Sequence, residues 1–137
     1  MKLVVNSNRI IAALTKDSLS RKIILHGNLD LLVINTSHKD IQKYKQEILE
    51  KAKITEEQFD SAIEKLNEKL TILDDNIVKS KMKVAKEIMD FIDKGDSPFI
   101  AAALAVDAGI WSDDRHFEKQ KRIKIWKTKD LIRFALD

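Results

Sequence analysis

Between Gly95 and Phe117 the chain reads GDSPFIAAALAVDAGIWSDDRHF, and this stretch limits the possible folds more than any other. The run FIAAALAVDAG is too apolar for a helix that faces solvent, so residues 98–108 are expected to form a core helix with Gly109 as its stop. Asp96 opens that helix. Ser97 and Pro98 supply its start, because proline fits the first turn, where its missing N–H has no intrahelical partner to lose. Residues 110–112 then read as a short buried strand. Its carboxyl end delivers Asp113 and Asp114 where ligand crevices open in parallel α/β sheets.

The rest of the chain supplies a sheet for this unit. Residues 2–5 form a continuous apolar, β-branched run that suits a central strand buried on both faces. Asn6 ends it, Ser7 or Asn8 is placed to cap a helix over RIIAAL, and a second helix is expected from Asp17 to His26, closed by Gly27 and Asn28. Residues 31–34 read as a second strand, parallel to the first because a helical crossover separates them. Ser37 is placed to cap a long helix to about Lys53, whose apolar face is Ile41, Tyr44, Ile48 and Leu49. Thr55 to Gln58 spells a capping box, with Phe59, Ile63 and Leu66 continuing the pattern to about Leu70. This helical pair, at about 37–70, is expected to project from the sheet. A third strand at 71–73, a turn at 74–76, an amphipathic helix at 78–92, a short helical segment at 117–121, a strand at 123–126 and a last helix capped by Thr128 complete the order. The fold class is α/β, a parallel-sheet three-layer α/β/α sandwich.

At 137 residues the chain fits a single domain, 1–137, with no linker or repeat. It is 44% hydrophobic and 34% charged, which suits a folded protein with a heavily charged surface. The absence of Cys excludes disulfides, thiolate nucleophiles and Cys-ligated zinc together. No run of about 18 to 20 apolar residues offers a membrane span, and MKLVV is too short for a signal peptide, so the expected location is cytoplasmic. The formal net charge of +3 would favour a polyanion without identifying one.

Three motifs resemble the PIN domain, a family of small metal-dependent ribonucleases that includes many toxin nucleases. They are Val4-Val-Asn-Ser-Asn8, Asp96-Ser-Pro-Phe99 and Trp111-Ser-Asp-Asp-Arg-His-Phe117. The family start reads Val-Val-Asp-Thr-Asn and its late motif Thr/Ser-x-Asp-x-Asp-Phe. Here Asn6 stands in place of the first acid, and His116 stands where Asp or Asn is common. Asp40 falls where the family usually has Glu, one methylene longer.

The resemblance implies that Asn6, Asp40, Asp96 and Asp114 converge around Mg²⁺ or Mn²⁺, with Asp40, Asp96 and Asp114 as the catalytic acids. Carboxylates gathered without Lys or Arg partners repel one another, and hard oxygen ligands favour those ions over zinc. By the same resemblance the reaction is hydrolysis of an RNA phosphodiester by metal-activated water. Each acid also has a plainer reading: Asp96 as a helix cap, Asp40 as a first-turn acid on a helix dipole, Asp113 as a turn residue beside the inward Asp114. Asp74, Asp75 and Asp107 read as surface acids. Ser7 and Asn8 either hold the first ligand or cap a helix. Ser112 either orients a water or caps the next turn. His116 either touches phosphate or packs at the crevice edge. Lys119, Lys121, Arg122 and Lys124 form either a nucleic-acid strip or a solvated face, and Trp126 beside them either stacks on a base or packs, while Trp111 reads as core.

Two functional classes follow. One is a ribonuclease, with the toxin of a toxin and small antitoxin protein pair as one form of it. The other is a binding module for RNA or protein in which Asn6 has weakened the metal site. The resemblance also implies a homodimer, with the apolar faces of the paired helices as its candidate surface.

Overall fold

The computed structural model describes residues 1–15 and 18–135; Asp17, the expected start of the second helix, and the final two residues lie outside them. Alternation along the strands sets the layers. In β1 (Lys2–Val5), Leu3 and Val5 turn to one face of the sheet and Val4 to the other, and β2 (Asp30–Val33) repeats this with Leu31 and Val33 against Leu32. Strands this apolar need cover on both sides. With β3 (Leu70–Ile72), β4 (Gly109–Trp111) and β5 (Ile125–Trp126) they form one parallel sheet in the order β3-β2-β1-β4-β5. This is the expected α/β/α sandwich.

Helices α1 (Ser7–Thr15), α2 (Ser18–His26), α3 (Asn35–Lys43), α4 (Lys45–Ala52) and α5 (Glu56–Asn67) cover the face of Leu3, Val5 and Trp111. Helices α6 (Asp75–Lys79), α7 (Met82–Met89) and α8 (Ser97–Val106) cover the face of Val4 and Ile110, and α9 (Thr128–Ala135) returns to the first face through Leu131. Helix α8 buries Phe99, Ile100 and three alanines, Ala101 to Ala103. Burying Phe99 and Ile100 contributes roughly 1.5–3 kcal/mol each. Among the described residues no helix is long and apolar enough to cross a membrane.

Several local expectations are corrected. Helix α8 ends early, at Asp107, which takes the left-handed conformation (φ 53°, ψ 55°), so Gly109 is not its stop. Gly109 begins β4, and a Cβ there would sit 3.0 Å from the Lys124 carbonyl oxygen and the Trp126 ring. The glycine serves close strand approach. The long helix expected from Ser37 to Lys53 is two helices, broken at Tyr44 (φ −98°, ψ 9°), and it starts at Asn35 without a side-chain cap. The segment expected as one helix at 78–92 divides into α6 and α7. The segment at 117–121 is a 3₁₀ turn, Arg115–Lys119, and β5 keeps only two residues of the expected 123–126. The helices from α3 to α5 do not project. Their apolar residues Ile41, Ile48, Phe59 and Leu66 lie in the core beside α1 and α2, so these faces are not available as a dimer surface. The capping box is present, with Gln58 N–H donating to Thr55 Oγ1 at 3.1 Å and Thr55 N–H to Gln58 Oε1 at 2.9 Å.

The chain runs from β1 outward through β2 to β3, then returns to the other side of β1 for β4 and β5. The order therefore reverses between β1 and β4. Ligand crevices in open α/β sheets lie outside the carboxyl ends of such a pair.

Candidate functional site

Asn6 leaves β1 at this switch point, 6% exposed. Its Oδ1 accepts from the Asn8 N–H at 3.0 Å and its carbonyl from the Arg9 N–H at 3.0 Å, so Asn6 caps α1 where Ser7 or Asn8 was expected to do so. Ser7 is thereby free to turn its hydroxyl to Asp40, donating to Oδ2 at 2.7 Å, with Ser37 Oγ 3.1 Å away. A hydroxyl has one proton; with Ser7's given to the carboxylate, Ser37 must donate the other. Ser37 is thus a link to Asp40 and not a helix cap. Asn8 holds Arg9, accepting from its Nε at 3.2 Å.

Asp96 is reached from the other side. Asp93 caps a 3₁₀ turn, Lys94–Asp96, by accepting from the Gly95 N–H at 2.9 Å, and α8 follows directly. Side chains three apart nearly eclipse on a 3₁₀ turn, so Asp93 and Asp96 share a side. Asp96 itself makes no capping bond, which removes the plainer reading of it. Its Oδ2 is buried without a partner. Burial, then the charges of Asp93 and Asp114, push its carboxyl up to about 6; His116 opposes this and Asp40 adds to it.

From β4, Ser112 Oγ accepts from the Asp114 N–H at 3.0 Å, which fixes the turn and answers the choice between water and cap in favour of the cap. Asp114 Oδ1 in turn accepts from the His116 N–H at 2.9 Å. His116 Nδ1 then lies 3.5 Å from Asp93 Oδ2 and 3.4 Å from Asp114 Oδ1. Ligand atoms of Asp93, Asp96 and His116 all fall within 4.8 Å of one another. Asp93 was missed from sequence; its signal was the spacing of two acids one 3₁₀ turn apart.

Asp113, next to Asp114, is not a free turn residue. Arg9 Nη1 pairs with its Oδ2 at 2.8 Å, and the Thr128 N–H and hydroxyl donate to its two oxygens at 2.8 Å each. Thr128 Oγ1 also accepts from the Trp111 indole at 3.0 Å, so it joins β4 to α9 and does not cap. Asp130 takes the capping role, accepting from the Lys127 N–H at 2.9 Å. The loop from β4 to β5 is held by the buried Gln120, whose Nε2 donates to the carbonyls of Phe117 and Ile123 and whose Oε1 accepts from the N–H groups of Arg122 and Ile123. Lys119, Lys121, Arg122 and Lys124 stand exposed around this loop. Trp126 packs edge-on to Phe134, with Lys124 Nζ 4.3 Å from its ring centroid.

A divalent cation fits the Asp96 side of this edge. The donors are carboxylate oxygens and an imidazole nitrogen, and one carboxylate oxygen is buried and unpaired, a state a cation relieves. The molecule is thus a three-layer α/β/α domain with an acidic centre at its topological switch point. The chain belongs to the PIN domain family, whose profile matches residues 4–136. Among solved structures it is similar to VapBC2 from Rickettsia felis, crystallised bound to a DNA fragment from its promoter, with a TM-score of 0.72 and 15% identity over 93% of this chain and 98% of that one. No curated protein matches the sequence.

Proposed function

We propose that the chain is a metal-dependent endoribonuclease of the PIN type. The observation that carries this reading is Asp96: a carboxylate with a buried, unpaired oxygen, acted on by the charges of Asp93, Asp114 and Asp40, with a ligand atom of His116 within 4.8 Å. Asp40, Asp96 and Asp114 would hold Mg²⁺ or Mn²⁺, with the amide oxygen of Asn6 contributing no charge. Such an ion, when bound, supplies positive charge for the phosphoryl oxygens and lowers the pKa of a bound water. The protein's part is orientation. Ser7 fixes one oxygen of Asp40, and the Ser112 turn fixes Asp114. The exposed Lys119, Lys121, Arg122 and Lys124 would hold the RNA backbone, with Trp126 beside them for a base. As in the toxin nucleases that the motifs resemble, a small antitoxin protein is the proposed partner and a homodimer the proposed assembly, in the cytoplasm.

A second reading rests on Asn6. Its oxygen is already engaged by the Asn8 N–H, so it gives a metal less than a carboxylate would, and the chain would then bind RNA or a protein without cutting. Mn²⁺ calorimetry and cleavage of a labelled single-stranded RNA, on the chain and on Asn6→Asp, separate the two. Binding and cutting in both forms supports the nuclease. Cutting by the Asn6→Asp variant alone supports the silent module, and neither activity in either form refutes metal catalysis.

A further inference from the structure

Resting on that nuclease reading, we propose that this chain holds its metal through Asp93 and His116 together with Asp96, a mixed oxygen and nitrogen set that takes over from the acid absent at position 6. None of the three family motifs includes position 93. Here Asp93 is brought beside Asp96 by the 3₁₀ turn, its Oδ1 occupied by the Gly95 N–H and its Oδ2 directed toward His116. The Nδ1 separations of 3.4 and 3.5 Å are too long for good hydrogen bonds. They do suit neighbouring ligands of one ion, which at bond lengths of about 2.1 Å lie about 3 Å apart when adjacent and about 4.2 Å when opposite. Asp96 brings a carboxylate oxygen within 4.8 Å of the ligand atoms of Asp93 and His116, and its Oδ2 is buried and unpaired. Asn6, by contrast, uses its oxygen to cap α1.

An imidazole ligand changes which ion is preferred. Nitrogen adds little for Mg²⁺, which is hard, and more for a first-row transition ion, so the site should favour Mn²⁺ over Mg²⁺. A competing account leaves His116 bridging Asp93 and Asp114, with no bond from nitrogen to metal.

The test is pulsed EPR of the full chain loaded with Mn²⁺, unlabelled and with ¹⁵N-histidine, beside calorimetry with Mn²⁺ and with Mg²⁺. The expected result is a nitrogen coupling that changes with the isotope and vanishes in His116→Gln. In that variant Mn²⁺ affinity falls about tenfold or more while Mg²⁺ affinity changes less, and Asp93→Asn weakens both ions about tenfold or more. Because the spectrum is read on the unaltered chain, poor folding of a variant cannot hide the answer. Mn²⁺ binding that Asp96→Asn abolishes, but without nitrogen coupling, overturns this inference and leaves the nuclease reading standing. Coupling that persists in His116→Gln assigns the nitrogen to His26 or His38 and also overturns it. No Mn²⁺ binding at all overturns both.

Discussion

Asp113 and Asp114 are neighbours at the carboxyl end of β4, yet they belong to opposite kinds of site. Asp113 has a guanidinium at 2.8 Å and two Thr128 donors; its charge is answered, and it ties α1, β4 and α9 together. Asp114 faces Asp93, Asp96 and His116, and among the described residues no lysine or arginine is paired with that group. The difference shows how one short edge separates a bond that holds the fold from a gathering of acids that strains it. Carboxylates gathered with only an imidazole among them are where a cation would be most favourable, and the proposed function rests on that second region.

The contrast between the two regions is tested most severely at Asp96. Asp96→Asn should lower RNA cleavage by at least about a hundredfold and abolish Mn²⁺ binding by calorimetry, because it removes charge from the buried, unpaired oxygen. Urea denaturation in chelator should show this variant no less stable than the parent. A large loss of stability would mean that Asp96 is structural.

On the other side, Arg9→Met should cost about 2 kcal/mol of stability in urea denaturation, since it leaves Asp113 partly buried without its charge partner. That figure is set below the full cost of a buried pair because the Asp113 side chain is 37% exposed. Mn²⁺ affinity should change less than about threefold, the two regions being separable. A loss of metal binding equal to that of Asp96→Asn would show that they are one network.

A smaller effect sharpens the boundary between them. Asn6→Asp should raise Mn²⁺ affinity about tenfold, since one more charged oxygen joins the site. The new carboxylate can keep the Asn8 N–H with one oxygen, so α1 should remain capped. Unchanged calorimetric titrations would place position 6 outside the metal's reach.

Much of this architecture was legible because it follows from pattern. The apolar β1, the unbroken FIAAALA of α8 and the Thr55 capping box each dictate one local structure, and each is found. What could not be read depends on contacts between distant segments. Gly109 looks like a helix stop until Trp126 is seen against it, and Asp113 looks like a turn acid until Arg9 arrives from α1. Ser7 and Ser37 both look like caps, but the fold sets them side by side against Asp40. Asp93 escaped for a related reason. Its closeness to Asp96 comes from a 3₁₀ turn, where an amphipathic helix was expected to run on to residue 92.

The smallest effect concerns acid and stability at Asp96. Asp96 in the folded chain titrates near 6, above the ordinary 3.8, with burial as the main cause. Between those values the folded state holds a proton that the unfolded state has lost. Stability therefore falls as pH rises through this window, and the ionised carboxylate remains a burden above pH 6. Discounted for the solvent that reaches the residue, that burden is about 1 kcal/mol. In chelator, urea midpoints of the parent should decline from pH 4 to pH 6 relative to those of Asp96→Asn, and saturating Mn²⁺ at pH 7 should recover the difference. Parallel curves for parent and variant would mean that Asp96 carries no unanswered charge, and the contrast between the two regions would fall with it.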